Sequence, residues 1–371
     1  MKWDKVKLED VSIIIAGQSP ESKYYNQDGL GLPFFQGKAD FGLETPKVRY
    51  WCTKPTKVAQ ASDILLSVRA PVGPTNICNI ESCIGRGIAA IRVGERLNYR
   101  YLYWWFKSFE KQLSAMGNGS TFSAITSKVV RDLEIPLPPL HIQEQIVITL
   151  DKADAIRRKD QELLTKYDEL AQTIFYDMFG DPVRNNKGWN VKTVIEVADC
   201  IVPGRDKPKS FTGNIPWVTT DDLKHLGTTN NSKKNIGLSD TEIKEVRAKI
   251  IPKNSVIMTC VGDLGIISIA GTDMVINQQL HAFQTKDINP TFLMYLLSLR
   301  KDFMIKMASS TTVPYMNKTV CNSIPVILPP KEMQEKFTSI YTGIKSQIDL
   351  SLKSFKNSTN LNEMLTVKYF S

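Results

Sequence analysis

Histidine is scarce in this chain of 371 residues, and the residue patterns of common active sites are absent. His141, His225 and His281 stand at no spacing that suits a metal ion or an activated nucleophile. The chain has no Gly-x-Gly-x-x-Gly, no Gly-x-x-x-x-Gly-Lys-Ser/Thr and no His-Glu-x-x-His motif. The sequence therefore offers neither catalytic residues nor metal ligands, which argues against an enzyme that acts alone.

Cysteine and long apolar runs are also limited. The six cysteines divide three and three between the halves of the chain: Cys52, Cys78, Cys83, Cys200, Cys260 and Cys321. An odd number in each half does not suit a disulfide framework, so we expect reduced thiols. No apolar run approaches the roughly 20 residues needed to span a bilayer, and Met1-Lys2-Trp3-Asp4-Lys5 does not resemble the start of a signal peptide. We therefore expect a cytoplasmic protein without membrane contact.

The charge balance is moderately basic. The chain has 47 Lys and Arg against 38 Asp and Glu, a net charge of +9, with 42% hydrophobic residues. This composition is typical of a folded protein, and the basic excess suits a nucleic-acid partner without establishing one.

A long helix is the strongest structural signal in the sequence. From Ile142 to Phe179 neither Pro nor Gly occurs, and apolar residues recur every three or four positions apart from one interruption at Asp160. Prolines precede the run, and Gly180 follows it at the position where helices usually end. At ~1.5 Å per residue the helix would be roughly 57 Å long. A helix with so narrow an apolar stripe needs a partner helix.

That partner is predicted in the same chain. Pro138-Pro139 with Gln143-Glu144 recurs as Pro329-Pro330 with Gln334-Glu335, at an offset of 191 residues (334 − 143). The helical spacing then repeats over residues 333–365, with one position skipped after Phe355. The pair predicts an antiparallel coiled coil within one chain. Two unrelated amphipathic helices on separate domains are the alternative, and the recurrence in register disfavours it.

The segments before the two helices also repeat each other. Strand-like runs at 12–16, 32–35, 63–68 and 88–93 precede a helical run at 99–116, and the segments 215–218 and 255–259 echo two of these strands. We predict an α+β protein with two pseudo-repeated mixed α/β domains separated by two long antiparallel coiled-coil helices. The domains span residues 1–135 and 185–324, and the central and distal helices lie within 136–184 and 325–371.

Polar residues in equivalent loops of both domains suggest contacts with DNA. Arginine can read guanine and glutamine can read adenine, while Lys, Ser and Thr suit phosphates. The candidates in the first domain are Gln18, Ser19, Lys38, Arg69, Arg86, Ser120 and Thr121. Those in the second are Arg205, Lys207, Lys209, Thr219, Thr220, Gln278, Gln279, Thr311 and Thr312. Any one of them alone is more simply a solvated loop residue, and the set is stronger than its members.

The duplicated layout resembles the specificity subunit of type I restriction–modification systems. The resemblance rests on both Leu-Pro-Pro…Gln-Glu segments with their long helices, on residues 63–73, and on the run from Gly119 to Pro139. It implies two target-recognition domains, each reading one half of a bipartite site in double-stranded DNA. The helices would set the spacer between the half-sites and dock the partner subunits.

The resemblance also implies the partners and where the cofactors bind. Two methyltransferase subunits would bring S-adenosylmethionine, and restriction subunits would bring ATP and Mg, so this chain would bind no cofactor itself. We expect Gln143, Glu144, Gln334 and Glu335 to contact those partners. A coiled-coil adaptor that binds only proteins, and a DNA-modifying enzyme that acts alone, remain as alternatives. The basic polar loops oppose the first, and the missing catalytic motifs oppose the second.

Overall fold

The structure is a computed structural model that describes residues 3–117, 124–204, 206–309 and 313–370. It divides into two compact units. Unit 1 comprises Met1–Gln161 and Lys353–Ser371, and unit 2 comprises Glu162–Leu352. Each unit therefore contains one mixed α/β domain together with about half of each long helix.

Unit 1 contains a mixed α/β domain built on short sheets. Its strands are β1 (Lys5–Lys7), β2 (Ser12–Ala16), β3 (Tyr25–Asn26), β4 (Leu32–Phe35), β5 (Tyr50–Cys52), β6 (Val58–Ala59), β7 (Ile64–Ser67), β8 (Thr75–Ile77), β9 (Ser82–Ile84), β10 (Ile88–Val93) and β11 (Glu134–Pro136). Helix α1 (Tyr99–Gly117) and the short α2 (Ser127–Arg131) precede the long α3 (Leu140–Phe179). The sheets have the orders β2-β10-β7-β8, β3-β5-β4-β9-β6 and β1-β11.

Unit 2 follows the same plan. Its strands are β12 (Asn190–Thr193), β13 (Ala198–Ile201), β14 (Ile215–Val218), β15 (Gly227–Thr229), β16 (Gly237–Leu238), β17 (Val256–Thr259), β18 (Ile267–Ala270), β19 (Val275–Ile276), β20 (Leu280–Thr285) and β21 (Pro325–Leu328). Its helices are α4 (Val194–Val197), α5 (Asp240–Glu245), α6 (Pro290–Ser298), α7 (Lys301–Met307), α8 (Lys318–Asn322) and the long α9 (Lys331–Phe370). The sheets have the orders β13-β20-β17-β18-β15, β16-β14-β19 and β12-β21.

The internal repeat is visible in the strand pairing. In unit 1 β10 lies antiparallel between β2 and β7, and in unit 2 β20 lies antiparallel between β13 and β17. Each unit also has a parallel pair at the equivalent place, β4 with β9 and β14 with β19, and unit 2 has a second parallel pair, β15 with β18. The predicted fold class, two repeated mixed domains with long helices, is confirmed.

Both long helices contain 40 residues and extend slightly beyond the predicted spans. Helix α3 begins at Leu140, directly after the prolines, and ends before Gly180, whose φ of +74° is the left-handed conformation expected at a helix end. Helix α9 runs from Lys331 to Phe370. None of the helices among the described residues has the apolar length required to cross a membrane.

The antiparallel arrangement can be read within unit 1 alone. Ile142, near the start of α3, shares a small cavity with Lys368 and Tyr369, near the end of α9. Farther along α3, the carboxylate of Asp160 accepts hydrogen bonds from the hydroxyls of Ser354 at 3.0 Å and Ser358 at 2.9 Å. Later residues of α3 thus meet earlier residues of α9. The interruption of the α3 stripe at Asp160 lies opposite these two serines, so a buried polar contact replaces the apolar seam there.

Each unit has its own hydrophobic core beside the helices. In unit 1 the buried core includes Tyr101, Leu102 and Phe106 of α1 together with Ile146 and Leu150 of α3. In unit 2 rings of both long helices, Phe175, Phe179 and Phe337, pack with Phe292 and Tyr295 of α6. The core thereby fixes the recognition domain of each unit to the helices beside it.

Candidate nucleic-acid interface

A polar cavity lies at the ends of the parallel strands β4 and β9 in unit 1. Its volume is about 250 Å³. It is lined by Ser19, Gln36, Gly37, Lys38, Ser67, Arg69, Ala70, Arg86 and Gly87. Loops that follow the carboxyl ends of parallel strands are common binding places in mixed folds. Four sequence candidates, Ser19, Lys38, Arg69 and Arg86, meet here from separate loops.

A buried carboxylate holds one wall of this cavity. Asp40 is 1% exposed, and it accepts hydrogen bonds from the main-chain N–H groups of Gln36 at 2.7 Å and Gly37 at 3.3 Å. Its second oxygen accepts from Nε of Arg49 at 2.8 Å, so that the carboxylate is neutralised locally. Asp40 therefore shapes the loop without offsetting the charges of the cavity.

The three cations of the cavity are exposed. No carboxylate lies within ion-pair distance of Lys38, Arg69 or Arg86 among the residues that the structure describes. The Tyr25 phenol lies near Ser19 and Arg86, and burial raises its pKa, so it stays neutral at ordinary pH. Unit 1 thus presents concentrated positive charge with free donors, which suits phosphates and guanine edges.

Unit 2 has a larger cavity at the corresponding place, after the parallel strands β14 and β19. Its volume is about 550 Å³. It is lined by Lys207, Phe211, Trp217, Thr219, Thr220, Asp221, Asp222, Ser232, Lys233, Lys234, Ile236, Asn277 and Gln279. Lys207, Thr219, Thr220 and Gln279 are sequence candidates that the fold brings together.

The wall of the second cavity is built in the same way as that of the first. Buried Asp222 accepts from the N–H of Thr219 at 2.7 Å and from its hydroxyl at 2.8 Å. Its other oxygen accepts from the N–H of Lys233 at 2.7 Å, which brings a distant loop to the cavity. Sequence reasoning missed Lys233 and Lys234, because only this folded contact places them beside the candidates. It also missed Asn277, whose N–H donates to Val218 at the end of β14.

The strand register aligns residues of the two cavities. The N–H of Gly85 donates to Phe35 at 2.8 Å, and the N–H of Asn277 donates to Val218 at 3.0 Å, one residue beyond β9 and β19 respectively. Arg86 of unit 1 therefore corresponds to Gln278 of unit 2. The framework is shared, and the side chains that project from it differ.

Several sequence candidates lie elsewhere. Gln18 is exposed but does not line the first cavity, and Lys209 does not line the second. The amide of Gln278 donates to the main-chain oxygens of Gly204 at 3.0 Å and Asp206 at 3.3 Å, so its side chain is used within the protein. Five candidates fall outside the described residues: Ser120, Thr121, Arg205, Thr311 and Thr312.

The repeated glutamines of the helix starts are buried. Gln143 accepts from the N–H of Asn98 at 2.8 Å and donates to the carbonyls of Arg96 and Pro138. Gln334 accepts from the N–H of Asn289 at 2.9 Å and donates to the carbonyl of Pro329. Each amide thus joins the start of a long helix to the start of α1 or α6, and we name this contact the glutamine joint.

The glutamine joint changes the expectation for partner contacts. Gln143 is 0% exposed and Gln334 is 2% exposed, so neither side chain is accessible to another protein in this structure. Both amides are used by hydrogen bonds inside the chain, which is what a buried polar group requires. The neighbouring Glu144 and Glu335 are exposed, and they stay as predicted partner contacts.

Among the described residues, no three His, Cys, Asp or Glu side chains are arranged to hold a metal ion. Both cavities are lined with lysine, amide and hydroxyl groups; the first also has two arginines, and the second also has Asp221, Asp222 and two aromatic rings. Lysine, arginine, amide and hydroxyl groups are the side chains that contact DNA phosphates and base edges.

Two specificity subunits of type I restriction enzymes are similar in sequence to this chain. The type I restriction enzyme MjaIX specificity subunit of Methanocaldococcus jannaschii is 23% identical over 386 residues, covering 93% of this chain and 87% of that protein. The provisionally named MjaX specificity subunit of the same organism is 41% identical over 170 residues, which cover 44% of this chain and only 40% of that relative.

A solved structure shares the fold. The crystal structure of the type I restriction–modification system S subunit from M. genitalium is 17% identical, with a TM-score of 0.68, and the match covers 100% of this chain and 96% of that one. The sequence model described as the type I restriction modification DNA specificity domain matches residues 1–166 and residues 186–354. Since these two matches span most of the sequence, the chain belongs to the type I restriction–modification DNA specificity family.

Proposed function

We propose that this chain is the DNA-reading subunit of a type I restriction–modification complex and that each unit reads one half of a bipartite target. The supporting observation is the pair of equivalent cavities after the parallel strands of the two units, with a common wall and different polar side chains. A duplicated frame with different loop residues suits the reading of two different short sequences.

The chemistry of the cavities suits double-stranded DNA. Exposed lysine, arginine and hydroxyl groups position phosphates, while arginine and amide groups read base edges in the major groove. Lys38, Arg69 and Arg86 provide such groups in unit 1, and Lys207 and Gln279 provide them in unit 2. The family match makes the chain a recognition subunit rather than an enzyme.

The remaining functions belong to partner subunits. We place S-adenosylmethionine on two methyltransferase subunits, and ATP with Mg on restriction subunits, in a complex of the cytoplasm. Glu144 and Glu335 lie exposed just after the first turns of α3 and α9, which supports a role for these helix starts in partner contact. An adaptor that binds only proteins would have no use for two cavities that both carry exposed basic side chains.

Exchange of one recognition domain tests the proposal. Residues 1–135 would be replaced by the equivalent domain of another family member and expressed with the methyltransferase partner. Methylome sequencing should then show a changed first half-site, an unchanged second half-site and an unchanged spacer. A second exchange, of residues 185–324, is the matched control and should change only the other half-site. A methylation pattern that is identical in both hybrids would refute the proposal.

We also propose that the helices set the spacer length. Both helices pass from one unit to the other, after Gln161 in α3 and after Leu352 in α9. Inserting one heptad at both points preserves the apolar seam and adds roughly 10 Å of helix. At ~3.4 Å per base pair the spacer should lengthen by about three base pairs, with both half-sites unchanged. A spacer of unchanged length in the methylome would contradict this function of the helices.

A further inference from the structure

We propose that Arg86 is the specificity-determining residue of unit 1 and that it reads a guanine in the major groove of the first half-site. The inference rests on the proposed function, because it names the base chemistry that one of the two cavities recognises. It follows from three features of Arg86: a fixed main chain, a guanidinium with no ion-pair partner among the described residues, and a different residue at the equivalent place in unit 2.

The main chain on both sides of Arg86 is held tightly. The N–H of Gly85 donates to Phe35 at 2.8 Å, and the N–H of Arg86 donates to the hydroxyl of Ser19 at 3.3 Å. A Cβ at residue 87 would lie 2.4 Å from the carbonyl oxygen of Gln36, so this glycine allows the two loops to touch. Reading a base edge requires a side chain whose attachment point is fixed, and Arg86 has one.

The guanidinium of Arg86 remains available for a ligand. Its side chain is exposed at the cavity, and no carboxylate among the described residues lies within ion-pair distance of it. The nearby buried acid, Asp40, is already paired with Arg49. All the side-chain donors of Arg86 can therefore be offered to DNA.

The other two cations of the cavity suit a different role. Lys38 offers a point charge on a flexible stem, which suits a phosphate rather than the paired acceptors of a base. Arg69 is exposed in the turn after β7, and its own main-chain carbonyl accepts a hydrogen bond from the hydroxyl of Ser67. We assign phosphate contacts to these two residues, which position the duplex beside Arg86.

Guanine is the base that matches this donor. Its major-groove edge presents two acceptors, N7 and O6, to the parallel N–H groups of a guanidinium, whereas adenine presents one acceptor and one donor. In unit 2 the equivalent residue is Gln278, whose amide is held by the carbonyls of Gly204 and Asp206. The equivalent position of unit 2 therefore does not offer this guanine contact.

Modified DNA tests the contact directly. The complex of this chain with its methyltransferase partner would bind duplexes in which a guanine of the first half-site is replaced by 7-deazaguanine, which lacks N7. Binding should weaken about tenfold or more at one such guanine, because one hydrogen bond of the bidentate contact is lost and the donor that faced N7 is left without an acceptor. Inosine at the same position lacks only a minor-groove amino group, and it should bind like guanine.

Variants assign the effect to Arg86. In Arg86→Ala the complex should bind guanine and 7-deazaguanine equally, since the partner of N7 is gone. In Lys38→Ala, the matched control, binding should weaken on all sequences while the 7-deazaguanine penalty persists. A penalty that persists in Arg86→Ala would overturn the assignment, and so would a first half-site without guanine.

The same experiments separate the inference from the proposed function. The domain exchange of residues 1–135 identifies which half-site unit 1 reads. If that exchange leaves both half-sites unchanged, the proposed function fails together with this inference. If the half-site follows unit 1 while 7-deazaguanine is tolerated at every guanine, only the role of Arg86 fails.

Discussion

The two units have the same order of elements but fasten their long helices with different side chains. In unit 1, Arg100 of α1 donates to both oxygens of Asp151 of α3, at 2.8 and 2.7 Å, and to Glu44 at 2.6 Å. In unit 2, the ring of Phe175 lies 5.8 Å from Phe292 and 5.3 Å from Phe337, measured between centroids. In unit 1 ion pairs add to the apolar packing of α3, whereas in unit 2 packed aromatic rings hold the helices.

The offset of the repeat identifies which residues of the two long helices are equivalent. Helices α3 and α9 correspond at 191 residues (331 − 140), so Thr366 of unit 1 stands where Phe175 stands in unit 2. Without a ring at that place, unit 1 keeps a groove of about 610 Å³ beside Trp104, Trp105 and Thr366. The shared glutamine joint sets how the helix leaves the domain, and the packing around it can then be polar or aromatic.

Removing the central ring of unit 2 should have the largest effect. Phe175→Ala deletes a fully buried side chain among other rings, and we expect it to lower the free energy of unfolding by about 3–5 kcal/mol. Thr366→Ala, at the equivalent place in unit 1, should cost less than about 1 kcal/mol, because it borders an existing groove. Denaturant titration measures both, and equal losses would contradict the difference between the units.

Acid should weaken unit 2 through the buried His281, which has no histidine counterpart in unit 1. Burial lowers the pKa of His281 from 6.5 to about 4. The unfolded chain therefore binds a proton at this histidine more readily than the folded chain does. The contribution of His281 to the free energy of unfolding is complete above about pH 6.5 and is lost as the pH drops towards 4, by up to about 3 kcal/mol. The strand register places Ala89 at this position in unit 1, since Ala89 pairs with Leu66 as His281 pairs with Met258.

The replacement His281→Gln isolates this effect. Its melting temperature should depend less on pH between about 6.5 and 4 than that of the unchanged protein, because the titrating group is gone. Hydrogen exchange of peptides from each unit should place the difference in unit 2. Identical pH dependence in both proteins would mean that His281 does not contribute.

Breaking the ion pairs of unit 1 should have the smallest effect of the three. Arg100→Met removes one donor from each of two partly exposed carboxylates, which we expect to cost about 1–3 kcal/mol. Asp151 keeps the indole N–H of Trp104, and Glu44 keeps Arg158. Thr291→Val, the equivalent position in unit 2, is the control and should be nearly neutral. The stability of the unchanged unit 1 should also fall with added salt more than that of unit 2, as followed by hydrogen exchange.

The long helices could be predicted from the sequence because their signals are local. The prolines, Gly180 and the apolar spacing are all contiguous, so the predicted span began two residues late in α3 and ended on the correct residue. The end of α9 was missed by five residues, since its last turn has no Gly or Pro to mark it. The interruptions of the two apolar stripes, at Asp160 and after Phe355, are each visible in the sequence. That Asp160 contacts Ser358 depends on how the two helices pair.

The cavities depend on contacts that no local pattern contains. Lys38 and Arg86 could be chosen as loop residues after strands, but their proximity comes from the parallel pairing of β4 with β9. Lys233 was missed because a buried carboxylate 11 residues away holds its loop. Gln278 and Gln279 look alike in sequence, and only the fold shows that the first is tied to main-chain carbonyls.

The glutamine joint has a consequence for how such genes can evolve. Because Gln143 meets Asn98 through the same bonds by which Gln334 meets Asn289, either domain meets its helix through identical groups. Recombination near the Pro-Pro segments would exchange a whole recognition domain while leaving those bonds intact. We expect hybrids that cross over there to melt near the parental temperature, whereas crossovers inside α1 should destabilise the chain. A lineage could then acquire a new target by exchanging domains, without waiting for point mutations in the reading loops.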